Sequence, residues 1–265
     1  MIPRPVTRRD ALRLSGAALF LAPWAAAAEA SFFEFIAVND THYIDDKCRP
    51  YQAGVVKAMR ADAPKAEFVC HAGDVSDRGE SINLTSMRDL YAEAALPFHP
   101  VPGNHDFIVK SDRSGYDAVF PGKLNYSFVH GGWQFIALDT TQGTDYAKTL
   151  ISAETLAWLD QQTRTLDPKL PTFAFTHFPL GDGVEMQPLN AAALVELLLK
   201  FNLKWVHSGH WHGESQLPAS AATLSTSRCC ARLRENRDGS PLKGWHVYQA
   251  SSDGTLSRRF VSFTA

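Results

Sequence analysis

Cysteine is scarce in this chain. Four are present among 265 residues, at Cys48, Cys70, Cys229 and Cys230, and their spacing is neither that of a disulfide framework nor that of a zinc knuckle. Adjacent Cys229 and Cys230 rarely bond each other, a bond from either to Cys48 is left open, and Cys70 reads as a small buried strand residue. Runs of like charge are also missing. With 26 basic and 28 acidic residues the formal net charge is −2, so no nucleic-acid tail or polybasic anchor is indicated and no stable nucleic-acid partner is expected. There is no internal repeat and no low-complexity linker. The 45 % hydrophobic content is enough for one sizeable core, and one domain is expected at this length.

The first thirty residues differ in kind from the rest. Thr7-Arg8-Arg9-Asp10-Ala11-Leu12-Arg13 precedes an apolar stretch, Ala17 to Trp24, and then a run of alanines. A basic start, a short apolar middle and an Ala-x-Ala end describe an export signal, too short to remain as a membrane helix. The paired arginines resemble a twin-arginine signal, although Ala11 stands where an aromatic residue is often found. The expectations are a signal over 1–30, export by the twin-arginine machinery with an ordinary secretory signal or an amphipathic N-terminal helix as the alternatives, and a domain over 31–265 in the periplasm or outside the cell, with no membrane segment. Removing 1–30 takes away four arginines, Asp10 and Glu29. That leaves 22 basic against 26 acidic residues, a net charge of −4.

Five polar clusters each follow an apolar run. Phe32 to Val38 reads as a buried strand and leads into Asn39-Asp40-Thr41-His42. Asp40 and His42 are two apart, so in extended backbone both side chains leave on one side and could chelate one ion. A helix over 51–63 and a strand over 67–71 lead to Gly73-Asp74-Val75-Ser76-Asp77-Arg78-Gly79, where Asp74 is placed to bridge two cations with its two oxygens. A helix over 82–95, with Met87, Leu90, Tyr91 and Ala94 on its core face, precedes Pro102-Gly103-Asn104-His105-Asp106. That tight turn can aim Asn104 at a metal and His105 at substrate.

Tyr126 to Leu138 reads as a hairpin through His130-Gly131-Gly132, with His130 an exposed turn residue. A helix over 153–166 and a strand over 172–176 deliver His177. The apolar helix 191–201 and a strand from Trp205 deliver Ser208-Gly209-His210-Trp211-His212-Gly213, where His210 and His212 can share one face. Short alternating runs in 221–263 read as strands completing a second sheet, and His246 as structural. The clusters at Asp40, Asp74, Asn104, His177 and His210 are separated by 34, 30, 73 and 33 residues. Intervals near thirty fit strand, helix and return strand, which puts each cluster at the C-terminal end of a strand, where open α/β sheets place ligands.

In order and completeness these clusters resemble the calcineurin-like metallophosphoesterase family, whose motifs run Asp-x-His, Gly-Asp-x-x-Asp, Gly-Asn-His-Asp/Glu, a lone His and Gly-His-x-His. The resemblance implies an α/β fold, a four-layer αββα sandwich of two mixed sheets flanked by helices. It assigns Asp40, His42, bridging Asp74 and His212 to one ion, and Asp74, Asn104, His177 and His210 to the other. Nitrogen and oxygen ligands without thiolate suit Mn, Fe or Zn. Asp77 stands where purple acid phosphatases carry tyrosine, so no tyrosinate colour is expected. Two such ions about 3.5–4 Å apart lower the pKa of a shared water and neutralise phosphate oxygens, and the hydroxide attacks phosphorus in line with the leaving group. His105 is the expected general acid, oriented by Asp77, and Arg78 either binds the substrate phosphate or forms an ordinary salt bridge.

The expected substrate is a small phosphoester, either a monoester or a diester that includes cyclic nucleotides. A non-catalytic metal-binding or phosphate-binding protein is the alternative, which the intact His105 counts against. A metallo-β-lactamase-like hydrolase would need a His-x-His-x-Asp-His run that is missing, and nothing here resembles the nucleotide-binding domain of the 5′-nucleotidase branch. His71, His99 and His207 flank the motifs as packing residues or outer partners of ligand imidazoles. Substrate choice is expected in loops 43–50, 107–124 and 178–190.

Overall fold

The structure is a computed structural model describing residues 31–264; the export-signal expectation lies outside them. The first sheet has the order β11-β10-β1-β2-β3 and is built from β1 Phe32–Val38, β2 Ala66–Ala72, β3 Phe98–Val101, β10 Gly244–Ser251 and β11 Leu256–Ser262. The second has the order β4-β5-β6-β7-β9-β8, with β4 Tyr126–His130, β5 Trp133–Leu138, β6 Pro171–Thr176, β7 Asn202–Ser208, β8 Ser215–Ala219 and β9 Ala222–Thr226. Helices α1 Arg49–Asp62, α2 Ser81–Glu93 and α3 Ser114–Val119 belong to the first sheet's side, and α4 Ala153–Gln162 and α5 Ala191–Leu198 to the second's. This is the expected αββα sandwich.

Strand alternation explains the layers. Phe33, Phe35 and Ala37 of β1 enter the core between the sheets, while Ile36 and Val38 enter the core beneath α1 and α2. On the other side Phe173 and Phe175 of β6 face the inter-sheet core and Ala174 faces the α4–α5 layer. Both faces are covered, so these strands read as continuous apolar runs rather than alternating ones. Phe35 is fully buried at the seam. It stacks on Phe68 at 5.3 Å and Tyr248 at 5.1 Å and meets Phe135 and Phe173 of the other sheet edge-on at 5.1 and 4.9 Å. Offset and edge-on contacts of this kind add about 0.5–1.5 kcal/mol each beyond area burial.

Three expectations are corrected. The runs at Gly244 to Tyr248 and Arg259 to Phe263 do not complete the second sheet. β10 pairs antiparallel with β1, whose other edge carries β2, and β11 pairs with β10. β10 suits a central position because Trp245 and Val247 are buried towards the helices and Tyr248 and Ala250 towards the other sheet. Segment 107–124 is not all loop, since α3 lies inside it and buries Tyr116, with Phe120 just beyond. The helix expected to reach residue 166 stops at Gln162, where the Thr163 hydroxyl donates to the Asp160 carbonyl at 2.7 Å, a local bond that competes with helix continuation. All four cysteines are free and buried, so neither pairing with Cys48 is formed.

β1, β2 and β3 run parallel, as do β5, β6, β7 and β9. Their C-terminal ends meet at one edge of the sandwich. The 73-residue interval holds α3, the β4–β5 hairpin and α4, the chain's passage from one sheet to the other. Among the described residues no helix is long and apolar enough to cross a membrane.

Candidate metal centre

The turn after β1 is tied to the turn after β2 by main-chain bonds, Asp40 N–H to the Gly73 carbonyl at 3.0 Å and His42 N–H to the Asp74 carbonyl at 3.0 Å. Gly209 N–H donates to the His177 carbonyl at 3.0 Å, joining the turns after β6 and β7. Across the seam the His177 imidazole donates through Nδ1 to the Ala72 carbonyl at 2.9 Å. Four strand ends are thereby held together before any side chain meets an ion.

Asp40, His42, Asp74, His210 and His212 sit at φ of 53°, 44°, 53°, 67° and 49°. Left-handed backbone at non-glycine residues costs on the order of 1–3 kcal/mol each and collects at functional sites. The expectation that Asp40 with His42, and His210 with His212, project from extended backbone is corrected here. Each pair converges because both of its members turn back through the left-handed region.

The side chains form two groups around Asp74. On one side Asp74 Oδ2 lies 3.4 Å from His42 Nε2, and Asp40 Oδ1 lies 3.2 Å from His212 Nε2 and 3.8 Å from His42 Nε2. On the other side Asp74 Oδ1 lies 3.4 Å from His177 Nε2, which is 3.2 Å from Asn104 Oδ1 and 3.1 Å from His210 Nδ1. Asp40, His42, Asp74 and His212 form one cluster of potential ligand atoms, and Asp74, His177 and His210 another.

The outer ring nitrogens settle which atoms face inward with lone pairs. His42 Nδ1 meets Asp77 Oδ1 at 3.0 Å, His210 Nε2 the Tyr146 carbonyl at 2.8 Å, and His212 Nδ1 the Glu235 carbonyl at 3.2 Å, beside the His177 contact above. Carbonyl and carboxylate oxygens only accept, so each outer nitrogen carries a proton, and in the neutral ring the inner nitrogen is left with a lone pair that could ligate a cation. Asp40 Oδ1 is buried without a well-directed hydrogen bond. Such an atom aimed at imidazole lone pairs fits a cation, and so does a donor set of imidazole nitrogens, carboxylates and an amide oxygen.

Electrostatics agree. Burial opposes ionisation of Asp40, yet the neighbouring His212, His177 and His42 hold its carboxyl well below the usual range. Asp74 is likewise lowered against burial, by His177, His105 and His42. Burial pushes His210 down to about 3. At His212 burial also pulls downward, but the Asp40 carboxylate overrides it and drives the pKa up to about 11. The Asp40 carboxylate demands a positive charge beside it, which a proton on His212 or a metal cation can provide.

His105 is one-third exposed, and its N–H donates to Asp74 Oδ1 at 2.8 Å. Its ring Nδ1 meets the Asp77 main-chain carbonyl at 3.2 Å and lies 3.5 Å from the Asp77 carboxylate. The Asp77 carboxylate thus serves His42 and Arg234 more closely than His105, which modifies the expected pairing. Arg78 is exposed at the cavity and makes no ion pair among the described residues, so the salt-bridge alternative is absent. Asp106 joins two ligand turns by accepting from the N–H groups of Val75, Ser76 and Gly103 at 3.1, 2.8 and 2.9 Å.

His71, His99 and His207 are packing residues: His71 is bonded to the Thr41 hydroxyl at 3.0 Å, His99 stacked on Phe128 at 4.2 Å, and His207 bonded to the Tyr248 hydroxyl at 3.1 Å. His246 is buried against the Ser227 hydroxyl at 3.1 Å, and His130 reaches Glu67 at 2.7 Å from the hairpin turn.

A cavity of about 680 Å³ opens over both groups. Phe107 and Ile108 come from segment 107–124 and Met186 from 178–190, whereas loop 43–50 lends no lining side chain. Tyr146 and Arg234 also line it and were not singled out from sequence. The only signal for Arg234 was a cluster of arginines at 228–237, which has no motif spacing.

A two-sheet α/β sandwich that gathers carboxylate, amide and imidazole donors at the floor of one cavity is the arrangement of a metal-dependent phosphoesterase. The model of the calcineurin-like phosphoesterase family matches residues 33–214, and the chain belongs to that family. It is 26 % identical over 241 residues to the 3′,5′-cyclic adenosine monophosphate phosphodiesterase CpdA of Escherichia coli K12, covering 83 % of this chain and 86 % of that one. It is 26 % identical over 200 residues to a probable cyclic nucleotide phosphodiesterase of Fibrobacter succinogenes, covering 71 % and 75 %. The fold matches that of a dimetal phosphatase from Danio rerio with a TM-score of 0.63 at 15 % identity, over 88 % of this chain and 99 % of that one.

Proposed function

We propose that the protein hydrolyses a phosphodiester, with a cyclic nucleotide as substrate, at a dinuclear metal centre. The observation that carries the dinuclear reading is Asp74, whose two oxygens each belong to a separate group of ligand atoms. Asp40, His42, Asp74 and His212 would hold one ion, and Asp74, Asn104, His177 and His210 the other. Bound there, Mn, Fe or Zn supplies Lewis acidity to phosphate oxygens and lowers the pKa of coordinated water towards neutrality. The substrate class rests on the names of the relatives together with the cavity walls, which combine apolar side chains (Phe107, Ile108, Tyr146) with the guanidinium group of Arg78, unpaired among the described residues. Aromatic faces suit a base and guanidinium groups suit a phosphate.

In this reaction a P–O bond to the ring alcohol breaks, a P–O bond to water oxygen forms, and the leaving oxygen takes a proton. Arg78 orients the phosphate from the cavity rim. His105, its Nδ1 held by the Asp77 carbonyl, delivers the proton from Nε2 when protonated, a role worth about 10²–10⁴-fold.

The test is turnover of 3′,5′-cyclic AMP, bis(p-nitrophenyl) phosphate and p-nitrophenyl phosphate by protein loaded with Mn, Fe or Zn, with metal content measured in parallel. Metal-dependent opening of the cyclic diester, lost in Asp74→Asn together with metal, is the expected result. Monoester cleavage alone, or one ion per chain at saturation, would overturn the proposal. The export reading of residues 1–30 has its own test. Replacing Arg8 and Arg9 with lysine should leave the protein in the cytoplasmic fraction, and unchanged export would exclude the twin-arginine route.

A further inference from the structure

Residues 228–242 follow β9 and lie beyond residue 214, where the family match ends. The segment carries no regular secondary structure, yet it is firmly tied. Asn236 Oδ1 accepts from Cys229 N–H at 3.0 Å, and Asn236 Nδ2 donates to the carbonyls of Ser240 and Leu242 at 2.9 and 2.7 Å. Stiffened this way, the segment touches three of the four residues in the Asp40–His42–Asp74–His212 group or their immediate supports. Cys230 N–H lies 3.2 Å from the Asp40 carbonyl. The Glu235 carbonyl takes the His212 Nδ1 proton at 3.2 Å, and Arg237 N–H donates to the His212 carbonyl at 2.9 Å. The Arg234 guanidinium bonds Asp77 Oδ1, the same atom that takes the His42 Nδ1 proton.

We infer that residues 228–237 are a strap that positions this ligand group, with Arg234 acting as a positioning residue for His42 through Asp77. Asp77 is about one-seventh exposed at the edge of the cavity, and its side chain has two torsions to fix. One hydrogen bond from an imidazole does not fix such a carboxylate. A guanidinium adds a second, charge-assisted bond to the same oxygen from the opposite chain segment, and this holds the acceptor in the plane His42 needs. The His42 ring is thereby kept in the tautomer and orientation that point Nε2 at Asp74. The inference rests on the proposed metal centre, since a strap on these residues has no purpose without an ion to hold.

The experiment compares wild type with Arg234→Ala and Arg234→Lys in the full chain. It reads the affinity of each metal site by chelator competition, the ¹⁵N shifts of the His42 ring in metal-free protein, and kcat and KM. Expected for Arg234→Ala is a roughly 10–100-fold loss of affinity at one site with the other unchanged, and His42 shifts moved towards a mixture of tautomers. Arg234→Lys should recover most of the affinity by restoring charge at Asp77. Asp77→Asn should weaken the same site, and Arg234→Ala combined with it should add little, because both act through one oxygen. Should Arg234→Ala fail to fold, the lysine variant and the Asp77 pair carry the same comparison. Wild-type affinity at both sites with only KM raised would reassign Arg234 to the substrate and overturn the inference. Failure of the underlying proposal looks different: wild type itself would then bind fewer than two ions.

Discussion

Gly209 offers a sharp perturbation of the centre, because the structure predicts what one methyl group would meet. A Cβ at residue 209 would lie 2.4 Å from Asp40 Oδ2, 2.7 Å from Asn39 Cβ and 3.0 Å from Asn39 Nδ2. Real Cβ atoms essentially never approach closer than 3.0 Å, and ordinary contact begins at 3.4 Å, so the Asp40 oxygen must retreat by 0.6 to 1.0 Å. It has little room to do so gently. Oδ2 already accepts from Asn39 Nδ2 at 2.6 Å and from His210 N–H at 2.9 Å, and Asp40 is fully buried. Moving Oδ2 carries Oδ1 with it, and Oδ1 is the atom set among the imidazoles. A misplacement of about 1 Å in a reacting constellation costs about 10²-fold in rate, equivalent to about 2.7 kcal/mol of transition-state stabilisation.

Overpacking of this kind also destabilises by about 1–3 kcal/mol. Gly209→Ala should therefore fold, with a thermal midpoint lowered by several degrees, while kcat/KM falls about 100-fold and metal affinity falls with it. The assay is titration with Mn or Zn under chelator competition, followed by steady-state kinetics at saturating metal. If Gly209→Ala bound metal and turned over substrate like the parent, the proposed position of Asp40 in the centre would be wrong.

Other predictions follow from the same geometry. His105→Ala should keep its metal content and lose about 10²–10⁴-fold on an alkyl leaving group, with a much smaller loss on p-nitrophenolate, which departs without a proton; equal losses on both would remove His105 from the acid role. Tyr146→Ala should raise KM for a cyclic nucleotide by roughly 5–150-fold through lost stacking of about 1–3 kcal/mol, while its main-chain carbonyl goes on holding His210; an unchanged KM would take the base away from that wall. His207 is fully buried, and burial lowers its pKa to about 3, against 6.5 for the free side chain. The unfolded chain therefore binds the extra proton between those values. Stability present above about pH 6.5 is lost as pH falls towards about 3, by up to roughly 1.4 kcal/mol per pH unit. Urea midpoints at about pH 7 and about pH 4.5 should diverge less in His207→Asn than in the parent, and parallel behaviour would count against this source of acid lability.

Much of the architecture was legible because it is written locally. Buried strands such as Phe32 to Val38 announce themselves as apolar runs, and glycine turns after them mark where polar side chains collect. Spacing near thirty residues implies parallel strands with helical crossovers. From this came the strand ends carrying the side chains that the structure gathers around Asp74, while the two-sheet sandwich was implied by the resemblance of the five motifs to the family. Other features depend on partners distant in sequence. Nothing local distinguishes a β10 that joins β1 from one that joins the second sheet, since that choice turns on which sheet edge is open once the layers have packed. The left-handed backbone of Asp40 and His42 is invisible to a periodicity of two, because it is imposed by main-chain bonds to the β2 turn. Asp77 was readable as a carboxylate three residues from Asp74, but its preference for His42 and Arg234 over His105 was decided by a segment 157 residues away. Residue identity determined which donors the chain possesses; only tertiary contact, by fixing distances and hydrogen-bond partners, decided which nitrogen and oxygen atoms face one another.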